Sequence, residues 1–104
     1  MAGQIEQAEA AFNRAIELDP ANVAAFNNLT DLYLQQEQFD RATEYINRAL
    51  GVNPNDVNTL MQLGNVAIQL EELDTALMAF QKIQTLAPET DGIGEVICQL
   101  EGLV

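Results

Sequence analysis

ELDPANVAAF, residues 17–26, joins two stretches whose apolar residues recur at helical spacing, and Pro20 sits at the joint. Proline lacks an N–H and its ring clashes with the preceding turn, costing ~3 kcal/mol inside a helix. Placed just past a helix end, it stops the helix at little cost. The chain holds three prolines, Pro20, Pro54 and Pro88, each 34 residues from the next. Two residues after them come Asn22, Asp56 and Thr90, oxygen-bearing types suited to accept from the orphan N–H groups of a following helix. LDPAN, VNPND and LAPET each read as stop, turn and restart.

The rest of the chain keeps the same step. A shift of 34 aligns Leu18, Val52 and Leu86, then Ala8, Ala42 and Ala76, then Phe12, Ile46 and Phe80. Ile5 meets Phe39 and Leu73, Leu29 meets Leu63 and Ile97, and Thr30 meets Gly64 and Cys98. A fixed period of this length is the mark of a repeat architecture. Each unit carries two helical stretches. From Val23 to Gln36, Phe26, Leu29, Leu32 and Tyr33 form one stripe, and from Phe39 to Leu50, Phe39, Ala42, Ile46, Ala49 and Leu50 form another. No segment alternates in the manner of a strand, so the chain is expected to be all-α. Arg14, Arg48 and Lys82 also recur at 34 and are expected to complement the negative helix ends before each proline.

Composition narrows the function. Sixteen acidic residues against four basic ones give a formal net charge of -12 over 104 residues. Like charge opposes encounter with nucleic acid or an anionic membrane, which leaves neutral or basic protein surfaces as partners. Solubility or a salt-rich habitat explains the same charge. Cys98 is the only cysteine, which excludes an intrachain disulfide. No apolar run approaches the length of a membrane span, and no signal-peptide pattern opens the chain. These features are expected of a soluble protein of a reducing compartment, the cytoplasm.

AAFNNLTDLYLQQEQFDRATEYINRALGVNP, residues 24–54, resembles the tetratricopeptide repeat. Phe26 stands where that family usually has tryptophan, Leu29 where it has leucine and Tyr33 where it has tyrosine. Ala42, Ala49 and Pro54 fill its alanine, alanine and proline places. Leu60, Leu63, Gly64, Ala76, Phe80 and Pro88 do the same one unit on, with Ala67 in place of the tyrosine and Ile83 in place of the second alanine. Gly64 fits the place where paired helices come closest. The resemblance implies an α-solenoid of about six helices, paired antiparallel and stacked in a right-handed superhelix, with first helices lining a concave groove. On this reading residues 1–104 form a single repeat domain. It comprises the second helix of a partial repeat at 3–19, repeats at 23–56 and 57–90, and a capping or partial-repeat helix at 91–104. In the last, Ile93, Val96, Ile97, Leu100, Leu103 and Val104 form the apolar stripe.

Catalysis has little material. There is no histidine or tryptophan, and Cys98, on the small-residue place of Gly64, has no imidazole partner. Glu71, Glu72 and Asp74 cluster at an inter-helix turn without the oxygen spacing of a calcium loop. No enzyme, cofactor or metal site is expected. The resemblance implies instead a peptide- or protein-binding groove walled by Asn27, Asn28, Asp31, Asn58, Met61, Gln62, Asn65 and Gln99. Carboxamides donate and accept, which suits capture of an extended backbone, and methionine adapts to apolar contacts. Asn28 and Asn65 also match common family residues, so a helix-orienting role stands beside the binding one. The groove stretches carry no lysine or arginine, whereas a family subclass grips acidic chaperone tails with such residues. An alternative is self-assembly through the unmatched terminal helices, with Ile5, Phe12, Val96, Leu100 and Leu103 at the contact. A third reading is a segment of a longer scaffold.

Overall fold

The computed structural model describes residues 2–103, with side chains from Gln4 onward. Val104, placed by its spacing on the last apolar stripe, lies outside the described residues. Six helices follow in order: α1 (Ala2–Leu18), α2 (Val23–Gln35), α3 (Phe39–Val52), α4 (Val57–Gln69), α5 (Leu73–Leu86) and α6 (Ile93–Leu103). No strand occurs among the described residues. The chain divides into two compact units, Met1–Pro54 and Asn55–Val104. In the first, α1 packs on α2 and α2 on α3; in the second, α4 packs on α5 and α5 on α6.

Helix starts follow the proline turns. Asn22 Oδ1 accepts from the Ala25 N–H at 3.0 Å, and Asp56 Oδ2 accepts from the Thr59 N–H at 3.1 Å. Both satisfy orphan donors of the first turn. The third restart differs. The Thr90 hydroxyl donates to the Ala87 carbonyl at 2.8 Å, and α6 begins only at Ile93, after Gly92 at φ 75°. With its hydroxyl committed backwards, Thr90 is a turn residue and not the expected cap. The left-handed φ of Gly92 falls where an L side chain would be strained.

Within each pair the turn is also built alike. The Gln38 N–H reaches the Tyr33 carbonyl at 2.9 Å and the Glu37 N–H reaches Leu34 O at 3.1 Å. The Glu72 N–H reaches Ala67 O at 2.8 Å and the Glu71 N–H reaches Ile68 O at 3.1 Å. These are the two bonds of a Schellman helix end, whose left-handed residue is usually glycine. Here it is glutamate twice, Glu37 at φ 57° and Glu71 at φ 59°.

The core repeats with variations. Leu29, Thr30, Ala42, Ile46 and Ala49 are fully enclosed in the first unit, and Ala76 and Ile83 in the second. Thr30, polar and enclosed, donates its hydroxyl to the Phe26 carbonyl at 2.9 Å, which meets the demand of burying it. A Cβ added to Gly64 would lie 2.6 Å from Phe80 Cζ, so glycine alone lets α4 and α5 come this close. Cys98, at the same place of its unit, is exposed rather than packed. Only α5 packs on α6 among the described helices, and that contact covers the face of Ile93, Ile97 and Leu100.

Three aligned positions carry no core role. Leu18, Val52 and Leu86 end α1, α3 and α5 and are 75%, 43% and 41% exposed. The period there marks the helix stop. The recurring cations do not sit in last turns either; no helix has a basic residue there. α1 runs to Leu18, α3 to Val52 and α5 to Leu86, which leaves Arg14, Arg48 and Lys82 one turn too early to meet the terminal carbonyls.

Candidate functional site

The residues assigned to a groove all stand on the first helix of a pair or on α6. In the first unit Asn28 and Asp31 are exposed on α2 and Asn27 is half-buried. Their spacing of one, three and four residues, continued by exposed Gln35, puts them on one face. In the second unit Asn58, Met61, Gln62, Asn65 and Gln69 follow one stripe of α4. Asn58, Asn65 and Gln69 are exposed and Met61 is half-buried, but Gln62 is only 8% exposed. Asn28 and Gln62 share one place in the period, yet one faces solvent and the other is enclosed. Gln99 is exposed on α6, one turn beyond exposed Glu95.

α2, α4 and α6 carry no lysine or arginine, so these amide-rich faces hold only Asp31, Glu95 and Glu101 as charges. The cations lie on the other helices. Arg14 pairs with Glu17 at 3.6 Å on the exposed surface of α1, a contact worth little in water. Arg41 and Arg48 instead lie over aromatic rings. The Arg41 guanidinium carbon is 5.7 Å from the Tyr33 ring centroid, and that of Arg48 is 5.1 Å from Phe26 and 5.2 Å from Tyr45. Tyr33 and Tyr45 stack at 5.7 Å with 20° between planes, and Phe26 and Tyr45 meet at 6.2 Å. Burial pushes the Tyr33 phenol above its ordinary 10.0, with the Glu9 and Tyr45 charges adding to the rise. A hydrogen bond from Arg41 and its positive charge pull the other way. This cluster was not singled out from the sequence, although Arg41, Tyr45 and Arg48 at i, i+4 and i+7 share a helix face and signal it.

The residues assigned to self-association are spread over several environments. Ile5, Phe12 and Val96 are half-buried, Leu100 is 4% exposed and already in the core of its unit, and Leu103 is 67% exposed. No group of three His, Cys, Asp or Glu side chains is placed to hold a metal ion among the described residues. No described helix is long and apolar enough to cross a membrane.

Paired helices closed by Schellman turns, restarted by Asx caps after the first two prolines and bearing mostly exposed amides on their first helices define a helical-repeat protein. The chain belongs to the tetratricopeptide repeat family, whose profiles match residues 1–63 and 57–90. No curated protein sequence matches it significantly. Among solved structures, the first tetratricopeptide domain of Spaghetti (RPAP3), bound to the HSP90 peptide SRMEEVD, superposes with a TM-score of 0.86 at 18% identity, covering 98% of this chain and 81% of that one. The Arabidopsis OM64 tetratricopeptide domain gives 0.86 at 19% identity, covering 99% and 85%. The second such domain of human RPAP3, in complex with the HSP70 peptide SGPTIEEVD, gives 0.81 at 20% identity, covering 96% and 83%. At these identities the likeness establishes the fold, an α-solenoid of antiparallel helix pairs.

Proposed function

We propose that this chain is a non-catalytic protein-interaction module that holds a neutral or basic peptide or helix along its first-helix faces. The observation that carries this reading is the pairing of exposed carboxamides with an absence of cations on α2, α4 and α6. The structural neighbours in complex with peptides ending in EEVD support peptide capture as a use of the fold. Side-chain amides at Asn27, Asn28, Asn58, Asn65 and Gln99 can bond a peptide backbone in both senses, with Met61 as the adaptable apolar contact. Without lysine or arginine, these faces offer an acidic tail no cation, and Asp31 and Glu95 add like charge. No nucleophile–base pair supports catalysis. The unpaired Cys98 fits a reducing compartment, and we place the protein in the cytoplasm.

Calorimetry tests this directly. SRMEEVD should show no binding that depends on Asn27 and Asn65, whereas a lysine-containing peptide of equal length should bind and be lost on Asn27→Ala with Asn65→Ala. Micromolar binding of SRMEEVD that vanishes with the same two substitutions contradicts the reading. Self-assembly is the second reading, favoured by Leu103, which stays 67% exposed on a helix otherwise apolar on one face. It requires a mass that rises with concentration and falls on Leu103→Glu, measured by light scattering after size-exclusion chromatography.

A further inference from the structure

Two of the four cations of a chain with net charge -12 share one face of α3 over an aromatic floor. Seven residues separate Arg41 from Arg48, about 10 Å along a helix. Tyr45 sits between them in sequence, stacked on Tyr33. A guanidinium has five N–H donors; Arg41 uses one on the Tyr33 phenol, and the remaining donors of both arginines can meet an acceptor. Both arginines are exposed, and among the described residues neither has a carboxylate oxygen within 4.0 Å. Acids are at hand. Glu37, Asp40 and Glu44 are exposed on α3 or at its start, and Glu44 stands four residues before Arg48, the favoured order for a helical ion pair. Glu9 of α1 also lies near enough to act on the Tyr33 phenol. Each guanidinium is 5.1–5.7 Å from a ring centroid, a contact that favours one placement of the side chain and lowers the ordering cost of binding. The second unit has no equivalent: Leu60, Ala67, Thr75 and Ala79 replace Phe26, Tyr33, Arg41 and Tyr45, leaving Lys82 without the floor.

We propose that the Arg41–Tyr45–Arg48 face receives an acidic segment of a partner protein, one carboxylate on each guanidinium. A spacing of about 10 Å matches acidic residues seven apart on a helix or three apart on a strand. Planar guanidinium suits a bidentate carboxylate, and charge-assisted bonds of this kind are the stronger ones. Within the first unit these arginines stand on α3 and the amides on α2.

The protein supplies its own probe. It has no tryptophan and two tyrosines, Tyr33 and Tyr45, both in this cluster. Tyrosine emission at low salt would be followed on adding a tyrosine-free, alanine-rich helical peptide with two glutamates seven residues apart, and its glutamine counterpart. A saturable change with the glutamate peptide, at least about ten-fold weaker with the glutamine one, is expected. Arg41→Gln and Arg48→Gln should each weaken it about ten-fold, the low end for a charge-assisted bond, while Lys82→Gln should leave it unchanged. Circular dichroism checks that each variant is folded, and if Arg48→Gln unfolds, Arg41→Gln carries the test. Equal response to both peptides, or equal loss from Lys82→Gln, overturns the proposal. A mass that doubles with protein concentration and reverts on Arg41→Gln would put a second copy on this face and overturn it too.

Discussion

The helix pair α2–α3 and the pair α4–α5 are built on one period but fill it differently. In the first, the close place holds Thr30, Ile46 stands where the period puts Phe80, and large rings come from both helices at Tyr33 and Tyr45. In the second, Gly64 takes the close place against the Phe80 ring, alanines stand at 67 and 79, and Ile83 replaces the small Ala49. Both pairs reach full enclosure at their central residues. Interiors are packed like crystals, so volume removed at one position must reappear at another. The period therefore fixes where helices stop and which face turns inward, while the sizes on that face are settled pair by pair.

Exchanging sizes between the pairs should be damaging, most of all where a large enclosed side chain is lost. Ile83→Ala, which gives the second pair the residue of the first, should cost ~2–5 kcal/mol through the cavity it leaves. The converse Ala49→Ile should cost ~1–3 kcal/mol by overpacking. Urea denaturation measures both, and a loss below about 1 kcal/mol for Ile83→Ala would mean that the pairs are interchangeable.

Gly64→Ala comes next. Its Cβ would meet a Phe80 ring that is itself 3% exposed, so a cost of ~1–3 kcal/mol is expected. Phe80→Ile imports the partner found in the first pair and should recover part of that loss. A double-mutant cycle reads the coupling. Additive losses would show that the two side chains do not compete for space.

Smaller still are the turns. Asn22→Ala and Asp56→Ala should each cost ~1 kcal/mol by thermal melting, because each removes a cap. Thr90→Ala should cost less than about 0.5 kcal/mol, since Thr90 caps nothing. At the other turns, Glu37→Gly and Glu71→Gly should each add a few tenths of a kcal/mol, about 0.5. They relieve a left-handed L residue at ~1–2 kcal/mol and lose part of that to glycine's greater chain entropy. A drop in melting temperature for either would give the glutamate side chain a role that its backbone does not suggest.

Much of this was legible in the residues. Pro20, Pro54 and Pro88 marked every first-helix restart, and Asn22 and Asp56 cap as their types imply. Gly64 was readable as a close approach through the family resemblance, which puts a small residue where paired helices come closest, and the Phe80 ring lies there. Other parts were not legible. Leu18, Val52 and Leu86 keep the period as enclosed residues do, yet they end their helices and are exposed, which alignment alone does not tell. Thr90 looks like Asn22 and Asp56, yet Gly92 two residues on adds a turn that only three-dimensional tracing reveals. Arg48 read as a dipole partner because sequence gives helix ends only to within a residue or two, and in the structure it lies over the Phe26 and Tyr45 rings instead. For the amide faces, helical spacing put Asn27, Asn28 and Asp31 on one side. It could not separate exposed Asn28 from enclosed Gln62 at the same place of the period.

The central claim, that amide faces without cations choose a neutral or basic peptide, is best tested by nuclear magnetic resonance of the labelled chain. Two peptides of equal length would be titrated, one lysine-containing and one ending in EEVD. The account predicts that the lysine peptide moves the side-chain amide signals of Asn27, Asn28, Asn58, Asn65 and Gln99, and that the acidic peptide leaves these five in place. Movement of the five by the acidic peptide, with none by the lysine peptide, would contradict it.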